Sequence, residues 1–179
     1  MSEVLYSEAD LKKVVTELAA AIAADFTGQS VLLLGLLKGC QPFMADLCRQ
    51  LSFYRLNVAV DYLQVSSYVG SASSGKVMIK QLSVDESFCW QRNVIVIDDI
   101  FDTGLTLQTV MVWLQAKGAA QVKSCVLLSK SGCNQTEMVP DYCGVEIPAA
   151  FVVGYGLDYN EKYRELPYIK ILAESEIFT

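Results

Sequence analysis

The segment Val94–Thr109, which reads VIVIDDIFDTGLTLQT, constrains the fold more than any other part of the chain. Its first four residues form an unbroken β-branched run, which predicts a strand buried on both faces of a sheet. Asp98 and Asp99 follow directly, and the polar stretch Asp102–Thr106 leads into apolar residues at helical spacing. The segment therefore predicts a buried strand, an acidic turn and a helix, which is a building unit of α/β folds.

The turn at Asp102–Thr106 has the chemistry of an anion site. Backbone N–H groups at a helix start are unpaired and the helix dipole favours negative charge there, while Thr103 and Thr106 add hydroxyl donors. The three acids of the segment would repel a bare phosphate, so we expect the ligand to bring hydroxyls, a cation or both. A sugar phosphate with Mg²⁺ fits, because Mg²⁺ is commonly held by one or two carboxylates together with substrate oxygens.

Plain capping is the alternative interpretation of the same residues. Asp, Thr and Gly are ordinary turn and N-cap residues, so a single acid after a strand carries little information. Three acids within five positions favour a functional site, because ligands in α/β folds gather at the carboxyl ends of parallel strands.

The composition bounds the class of protein. The 179 residues suit one α/β domain, here taken as residues 1–179. The net charge of −6 and the lack of basic runs argue against a nucleic-acid surface. The chain contains no histidine, so proton transfer must use carboxylate, Lys, Tyr or Cys.

Cysteine usage and the amino terminus indicate the compartment. The six cysteines show no CxxC spacing, which together with the lack of histidine argues against a zinc site. The first ten residues are acidic and lack the apolar region of a signal peptide, and no apolar run reaches membrane-spanning length. We therefore expect a cytoplasmic protein with reduced thiols that does not bind a membrane.

Periodic apolar patterns predict the remaining elements. Ser7 and Asp10 resemble a capping box before an amphipathic helix, and a second helix is predicted to begin near Pro42. The other predicted strands are Val31–Leu34, Leu56–Val65, Val77–Ile79, Val122–Leu128 and Phe151–Val153. The alternation of helices with buried strands predicts a mostly parallel twisted sheet flanked by helices on both faces.

Further charged residues lie at the predicted strand ends. Lys38 and Gly39 follow one strand, and Lys130 follows another. Asp158 comes shortly after the last. Because the carboxyl ends of parallel strands share one edge, we expect these residues to converge with the acidic turn. The Ser- and Gly-rich stretch Ser66–Lys76 is typical either of a mobile lid over that edge or of an exposed connection.

Two motifs resemble those of a known family. The run VIVIDDIFDTGLTL resembles the phosphoribosyl-pyrophosphate motif of type I phosphoribosyltransferases. The segment Phe151–Arg164, FVVGYGLDYNEKYR, is similar to the carboxyl-terminal signature of hypoxanthine-guanine phosphoribosyltransferases. The other motifs of that family fall at Leu37–Gly39, Ser67, Tyr68 and Leu127–Lys130. The resemblance extends from about Val31 to Leu172 and implies the type I phosphoribosyltransferase fold with a small hood and a mobile lid loop.

The resemblance implies transfer of ribose 5-phosphate from phosphoribosyl pyrophosphate to a 6-oxopurine, with Mg²⁺ as cofactor and a homodimer or homotetramer as the assembly. The implied general base, which takes the purine N7 proton, is Asp102. The implied ribose 5-phosphate contacts are Asp98, Asp99, Thr103, Gly104, Leu105 and Thr106. The implied pyrophosphate contacts are Lys38, Gly39, Ser67, Tyr68 and Arg164. The implied purine contacts are Lys130, Phe151, Val152 and Asp158, and the implied metal ligands are Asp98, Asp99 and Asp158.

Three positions depart from the family pattern. Asp98 stands where many members have Glu, and its shorter reach favours an indirect metal contact. Cys40 replaces a Gly, Ser or Ala, and its thiol is a group that oxidation can modify. Val69 lengthens the Ser66–Lys76 loop, so family contacts beyond Tyr68 do not transfer to this chain.

Other functions are compatible with parts of the pattern. A non-catalytic nucleotide-binding regulator on the same fold would be expected to lack Asp102 or Lys130, or to carry a basic face. A phospho-acceptor receiver domain would carry its acidic pair near the amino terminus rather than past mid-chain. A nicotinamide-binding domain would need a GxGxxG motif, which the chain lacks. The enzyme remains the favoured interpretation.

Overall fold

The computed structural model describes residues 4–67, 77–81 and 87–173, and for Ser66, Ser67 and Gln81 it describes the backbone alone. Three α-helices and nine strands lie within these ranges. In chain order they are β1 (Val4–Tyr6), α1 (Glu8–Asp25), β2 (Ser30–Leu37), α2 (Gln41–Leu51), β3 (Asn57–Ser67), β4 (Val77–Gln81), β5 (Asn93–Phe101), α3 (Leu105–Ala116), β6 (Gln121–Lys130), β7 (Tyr142–Ile147), β8 (Val152–Val153) and β9 (Ile169–Ile171).

A six-stranded sheet in the order β4-β3-β2-β5-β6-β7 forms the centre of the described structure. Every neighbouring pair in it is parallel except β3 and β4, which pair antiparallel at one edge. The expected mostly parallel sheet is therefore confirmed. Strand β5 lies in the interior of the sheet, between β2 and β6. This position agrees with the prediction that the apolar run before the acids is buried on both faces of the sheet.

Two hydrophobic cores cover the two faces of this sheet. One core joins α1 and α2 to Ile95 and Ile97, and the other joins α3 to Val94 and Val96. All four of these side chains are fully buried. Successive residues of β5 therefore point to opposite cores, which is the pattern of a strand buried on both faces.

Local sequence signals explain where the helices begin. Ser7 caps α1, because its hydroxyl accepts from the Asp10 N–H at 3.3 Å while the Ser7 N–H donates to the Asp10 carboxylate at 3.0 Å. This confirms the predicted capping box. Pro42 lies in the first turn of α2, where its missing N–H has no helical partner to lose. Gly104 caps α3.

A second, three-stranded antiparallel sheet in the order β1-β9-β8 forms the hood beside the main sheet. Of its strands only β8 was expected from the sequence, and β7 of the main sheet was also not predicted. The strands β1 and β9 have three residues each, too few to show a period of two. These pairings are made by partners distant in the chain. Among the described residues, no helix is long and apolar enough to cross a membrane.

The start of β7 is anchored to β6 by a polar pair. The exposed residue Asp141 turns one carboxylate oxygen to Ser124, accepting from its N–H and its hydroxyl at 2.8 Å each. Ser124 is fully buried, so these two donors have Asp141 as their partner instead of water. The unpredicted edge strand is therefore held by these hydrogen bonds as well as by its buried residues Tyr142 and Ile147.

We expect Asp141→Ala to lower the free energy of unfolding by about 1–3 kcal/mol, because it leaves two buried donors without their acceptor. Urea denaturation measures the loss. Asp141→Asn, which keeps an oxygen acceptor, is expected to lose less, and Glu137→Ala removes a nearby exposed acid as the control. Equal stability of Asp141→Ala and the control would contradict this account.

Candidate active site

The acid pair lies in the carboxyl-terminal part of β5. Asp98 and Asp99 are partly buried and follow directly on the fully buried run of the strand. Burial raises the pKa of Asp98 well above its ordinary value, and the charge of Asp99 raises it further. Burial also raises the pKa of the Asp99 carboxyl. Two neighbouring carboxylates that repel each other in a partly buried position are suited to a divalent cation, which would offset both effects.

No larger group of possible metal ligands accompanies this pair. Within residues 4–67, 77–81 and 87–173, no cluster of three or more Asp, Glu, Cys or His side chains could hold a metal ion. The pair alone matches the usual binding of Mg²⁺, in which one or two carboxylates are joined by substrate phosphates.

The turn between β5 and α3 encloses a cavity of about 70 Å³. Four of the predicted ribose 5-phosphate contacts line it, and so does the predicted base Asp102; the four are Asp98, Thr103, Gly104 and Thr106. Leu105 begins the helix, and its N–H lies 3.4 Å from the Thr103 hydroxyl oxygen, which accepts from it. The cavity thus combines a helix amino terminus with hydroxyl groups, and its size suits a group as small as a phosphate.

The loop that contains residues 134–136 supports this turn, a contact that was not predicted from the sequence. The Gln135 N–H donates to the Thr103 carbonyl at 2.9 Å. Asn134 braces the loop from within, because its side-chain oxygen accepts from the N–H and the hydroxyl of Thr136 at 2.9 Å each. Asn134 and Thr136 were the available signal for such side-chain turns, but the contact of their loop with the phosphate turn depends on tertiary structure.

Lys38 and Gly39 follow β2, and the peptide that joins Leu37 to Lys38 is cis. Gly39 packs directly on the acid pair, since a Cβ at this position would lie 1.8 Å from the Asp99 Oδ2 atom. On its other side lies the carboxyl-terminal segment, where a Cβ at Gly156 would lie 2.0 Å from the Gly39 carbonyl oxygen. The acids, the Lys38 loop and the carboxyl-terminal segment are therefore in close contact.

Cys40 continues this loop and is fully buried. Burial raises the pKa of its thiol, and the charges of Asp98 and Asp99 raise it further. The thiolate is the form that oxidants attack, so both effects protect the side chain. The expected susceptibility of Cys40 to oxidation is therefore opposed by its surroundings.

Lys130 and Asp102 form an ion pair across the edge of the sheet. The Lys130 Nζ atom lies 2.9 Å from the Asp102 Oδ2 atom. The side chain of Lys130 is 17% exposed and that of Asp102 is 46% exposed, so the carboxylate is the more accessible partner. The predicted base and the predicted purine contact are thus brought together by residues 28 positions apart.

The carboxyl-terminal segment adds an aromatic ring and a second set of charges. Phe151 is 43% exposed, and its ring and that of Tyr159 form a T-shaped pair at a centroid distance of 5.6 Å. Val152 is buried in β8. Asp158 uses both carboxylate oxygens within the protein, one 2.7 Å from Arg164 Nη2 and one accepting from a backbone N–H. As a metal ligand, Asp158 would share its carboxylate oxygens with these partners.

Glu161 connects Lys38 and Arg164, the two basic side chains predicted to bind pyrophosphate. The role of Glu161 was not predicted from the sequence. Its Oε2 atom lies 2.9 Å from Lys38 Nζ, and its Oε1 atom lies 3.3 Å from Arg164 Nη2. Lys38 and Glu161 are 123 positions apart, so no local pattern could have indicated the contact. The side chain of Ser67 and the whole of Tyr68 lie outside the described residues, as does the rest of the expected lid loop.

A cavity of about 1060 Å³ lies elsewhere, between α1, α2 and residues 164–167. Of the predicted site residues only Arg164 lines it. Polar groups suited to a sugar phosphate are concentrated at the sheet edge instead, where the cavity at the turn is small and polar.

The fold and this edge define an α/β protein built to bind a phosphorylated sugar. Residues 2–160 match the family model of the phosphoribosyl transferase domain. The chain is 40% identical over 174 residues to a hypoxanthine-guanine phosphoribosyltransferase of Bacillus subtilis, covering 96% of this chain and 93% of the relative. It is 41% identical over 180 residues to the enzyme of the same name from Streptococcus agalactiae, covering 100% and 97%.

The structure agrees with the sequence comparison. A hypoxanthine phosphoribosyltransferase from Trypanosoma cruzi, solved in complex with the product IMP, superimposes with a TM-score of 0.88 at 35% identity, over 96% of this chain and 94% of that one. The chain belongs to the phosphoribosyltransferase family.

We expect Gly39→Ala to reduce phosphoribosyl transfer by about a hundredfold, because the added methyl group would displace the Asp99 carboxylate from its position. Steady-state rates measure the effect. Gly28→Ala is the control, since that glycine has a φ of +74° and no atom within 4 Å of an added Cβ. The control is expected to lose stability but keep its rate. Full activity of Gly39→Ala would show that the close contact does not matter.

Proposed function

We propose that the chain is a hypoxanthine-guanine phosphoribosyltransferase that salvages purines. It transfers ribose 5-phosphate from phosphoribosyl pyrophosphate to a 6-oxopurine and releases pyrophosphate. The observation that carries the proposal is the Asp102–Lys130 pair beside the phosphate-sized cavity. A base and a cation 2.9 Å apart match the adjacent N7 and O6 atoms on one edge of a 6-oxopurine.

In the proposed mechanism Asp102 accepts the N7 proton as the purine attacks the sugar, a role that a carboxylate must take in a chain without histidine. Lys130 donates to O6 of the base. Adenine carries an amino donor at that position, so the Lys130 N–H that would meet O6 would face another donor and find no acceptor there. Selection of oxopurines over adenine then rests on an unpaired polar group, which is a strong means of discrimination.

The sugar and its phosphate bind around the turn after β5. The backbone N–H groups of Asp102–Thr106 and the hydroxyls of Thr103 and Thr106 hold the 5-phosphate. Asp98 and Asp99 hold the ribose hydroxyls, directly or through Mg²⁺, and Asp158 is the candidate ligand of a second ion. When bound, Mg²⁺ supplies positive charge that neutralises the leaving pyrophosphate.

The pyrophosphate lies against Lys38, Gly39 and Arg164, with Ser67 and Tyr68 proposed to contact it from the lid loop. The sugar becomes cationic in the transition state while negative charge develops on the leaving group, so the cations of the protein act where the charge changes most. Exclusion of water by the lid would protect the donor from hydrolysis. Phe151 stacks on the purine, and the Val152 backbone reads its far edge.

The assembly, the domain and the compartment are part of the proposal. Residues 1–179 form one phosphoribosyltransferase domain, and the protein is a homodimer or homotetramer of the cytoplasm. Family membership supports these statements.

The direct test offers hypoxanthine, guanine, xanthine and adenine separately with Mg²⁺ and phosphoribosyl pyrophosphate, and measures release of pyrophosphate. We expect turnover with one or more oxopurines and none with adenine. EDTA is expected to abolish turnover and added Mg²⁺ to restore it. Donor or nucleotide binding without turnover on any base would instead favour a non-catalytic regulator on this fold.

Asp102→Asn is expected to lower kcat by about two to four orders of magnitude while donor binding persists, because the amide cannot accept the N7 proton. Asp25→Asn is the matched control. It removes the charge from the 2.8 Å pair of Asp25 with Lys123, a residue near the amino-terminal end of β6, at the opposite end of the strand from Lys130. Stopped-flow or steady-state rates at a saturating concentration of the purine measure the effect. Equal turnover of the two variants would show that Asp102 is not the general base.

A further inference from the structure

Glu161 forms a bridge between two basic side chains that come from different parts of the fold. Lys38 follows β2, and Arg164 belongs to the loop between β8 and β9. Each oxygen of the Glu161 carboxylate pairs with one basic side chain. Its Oε2 atom lies 2.9 Å from Lys38 Nζ, and its Oε1 atom lies 3.3 Å from Arg164 Nη2. The bridge therefore uses both oxygens, as a phosphate group would use two of its own.

The bridge lies at the surface, where another anion can replace the Glu161 carboxylate. The side chain of Glu161 is 64% exposed and that of Lys38 is 60% exposed. The hydrogen bond from Lys38 is the main reason that the pKa of Glu161 is below its ordinary value, so the carboxylate is charged at neutral pH. Exposed ion pairs of this kind contribute little to stability, because water and salt compete with them.

The backbone at Glu161 stays anchored independently of its side chain. Its N–H donates to the Asp158 Oδ2 atom at 2.9 Å, and its neighbours Tyr159 and Lys162 pair with each other through their backbones. Arg164 keeps two further contacts, at 2.7 Å to the Asp158 carboxylate and at 2.7 Å to the Gly156 carbonyl. Rotation of the Glu161 side chain alone would free a donor on each cation without moving the loop.

We propose that Glu161 is a displaceable counter-ion that holds Lys38 and Arg164 together in the free enzyme and competes with pyrophosphate for them. The inference rests on the proposed function, in which these two cations bind the pyrophosphate group. While it is bound to these two side chains, the Glu161 carboxylate would repel the incoming pyrophosphate. Glu161 must therefore turn away when the donor binds, and it recaptures the cations as the product leaves.

The test is Glu161→Gln, which keeps the shape of the side chain and removes its charge. Inhibition of the holoenzyme by pyrophosphate with Mg²⁺, and the Kd of phosphoribosyl pyrophosphate, are measured. We expect both ligands to bind about two- to fivefold more tightly, the range for loss of one exposed competing charge. The gain should shrink at high salt. Hypoxanthine affinity and the melting temperature should not change.

Glu165→Gln is the matched control, because Glu165 is an exposed acid four positions away with the same charge. An equal gain in this variant would mean that overall charge is responsible, and it would overturn the proposal. Unchanged or weaker pyrophosphate binding in Glu161→Gln would also overturn it. A wild-type protein that neither turns over nor binds pyrophosphate would overturn the proposed function together with this inference, whereas normal wild-type turnover with no effect of Glu161→Gln overturns the inference alone.

Discussion

The burial of β5 on both faces is the constraint on which the rest of the site depends. Val94–Ile97 belong alternately to the two cores, so a shift by one residue would turn every core side chain of the strand to the wrong face. The acid pair follows directly on this run. Hydrophobic packing therefore determines where the acids lie, and charges held rigidly in this way need not reorganise during a reaction.

Charge balance explains which ligand the site suits. Each basic side chain predicted to bind substrate is paired with a carboxylate of the chain itself. The pairs are Lys130 with Asp102, Arg164 with Asp158, and Lys38 with Glu161. The acid pair of β5 differs, since burial raises the pKa values of both carboxyls and the charge of Asp99 raises that of Asp98 further. A ligand that brings a cation to the acids and anionic groups to the bases complements both parts, and a donor carrying pyrophosphate with Mg²⁺ has this composition.

Close packing through small residues joins these charges into one site. Gly39 lies between the Asp99 carboxylate and Gly156, with no space for a methyl group on the side of the acid. The loop after β2, the end of β5 and the carboxyl-terminal segment can therefore approach within contact distance. A side chain at Gly39 would separate the pyrophosphate contacts from the acids by the width of that side chain.

The sequence by itself determined the local units, and only the tertiary structure decided how they meet. The β-branched run, the acidic turn and the helix after it were predictable because burial and helix periodicity act between near neighbours. The same holds for the capping box at Ser7 and for the two family motifs. The short strands of the hood, the support of Thr103 by Gln135 and the bridge through Glu161 were not predictable. Each depends on a partner brought close by folding, and a contact across 123 residues leaves no period or spacing in the chain.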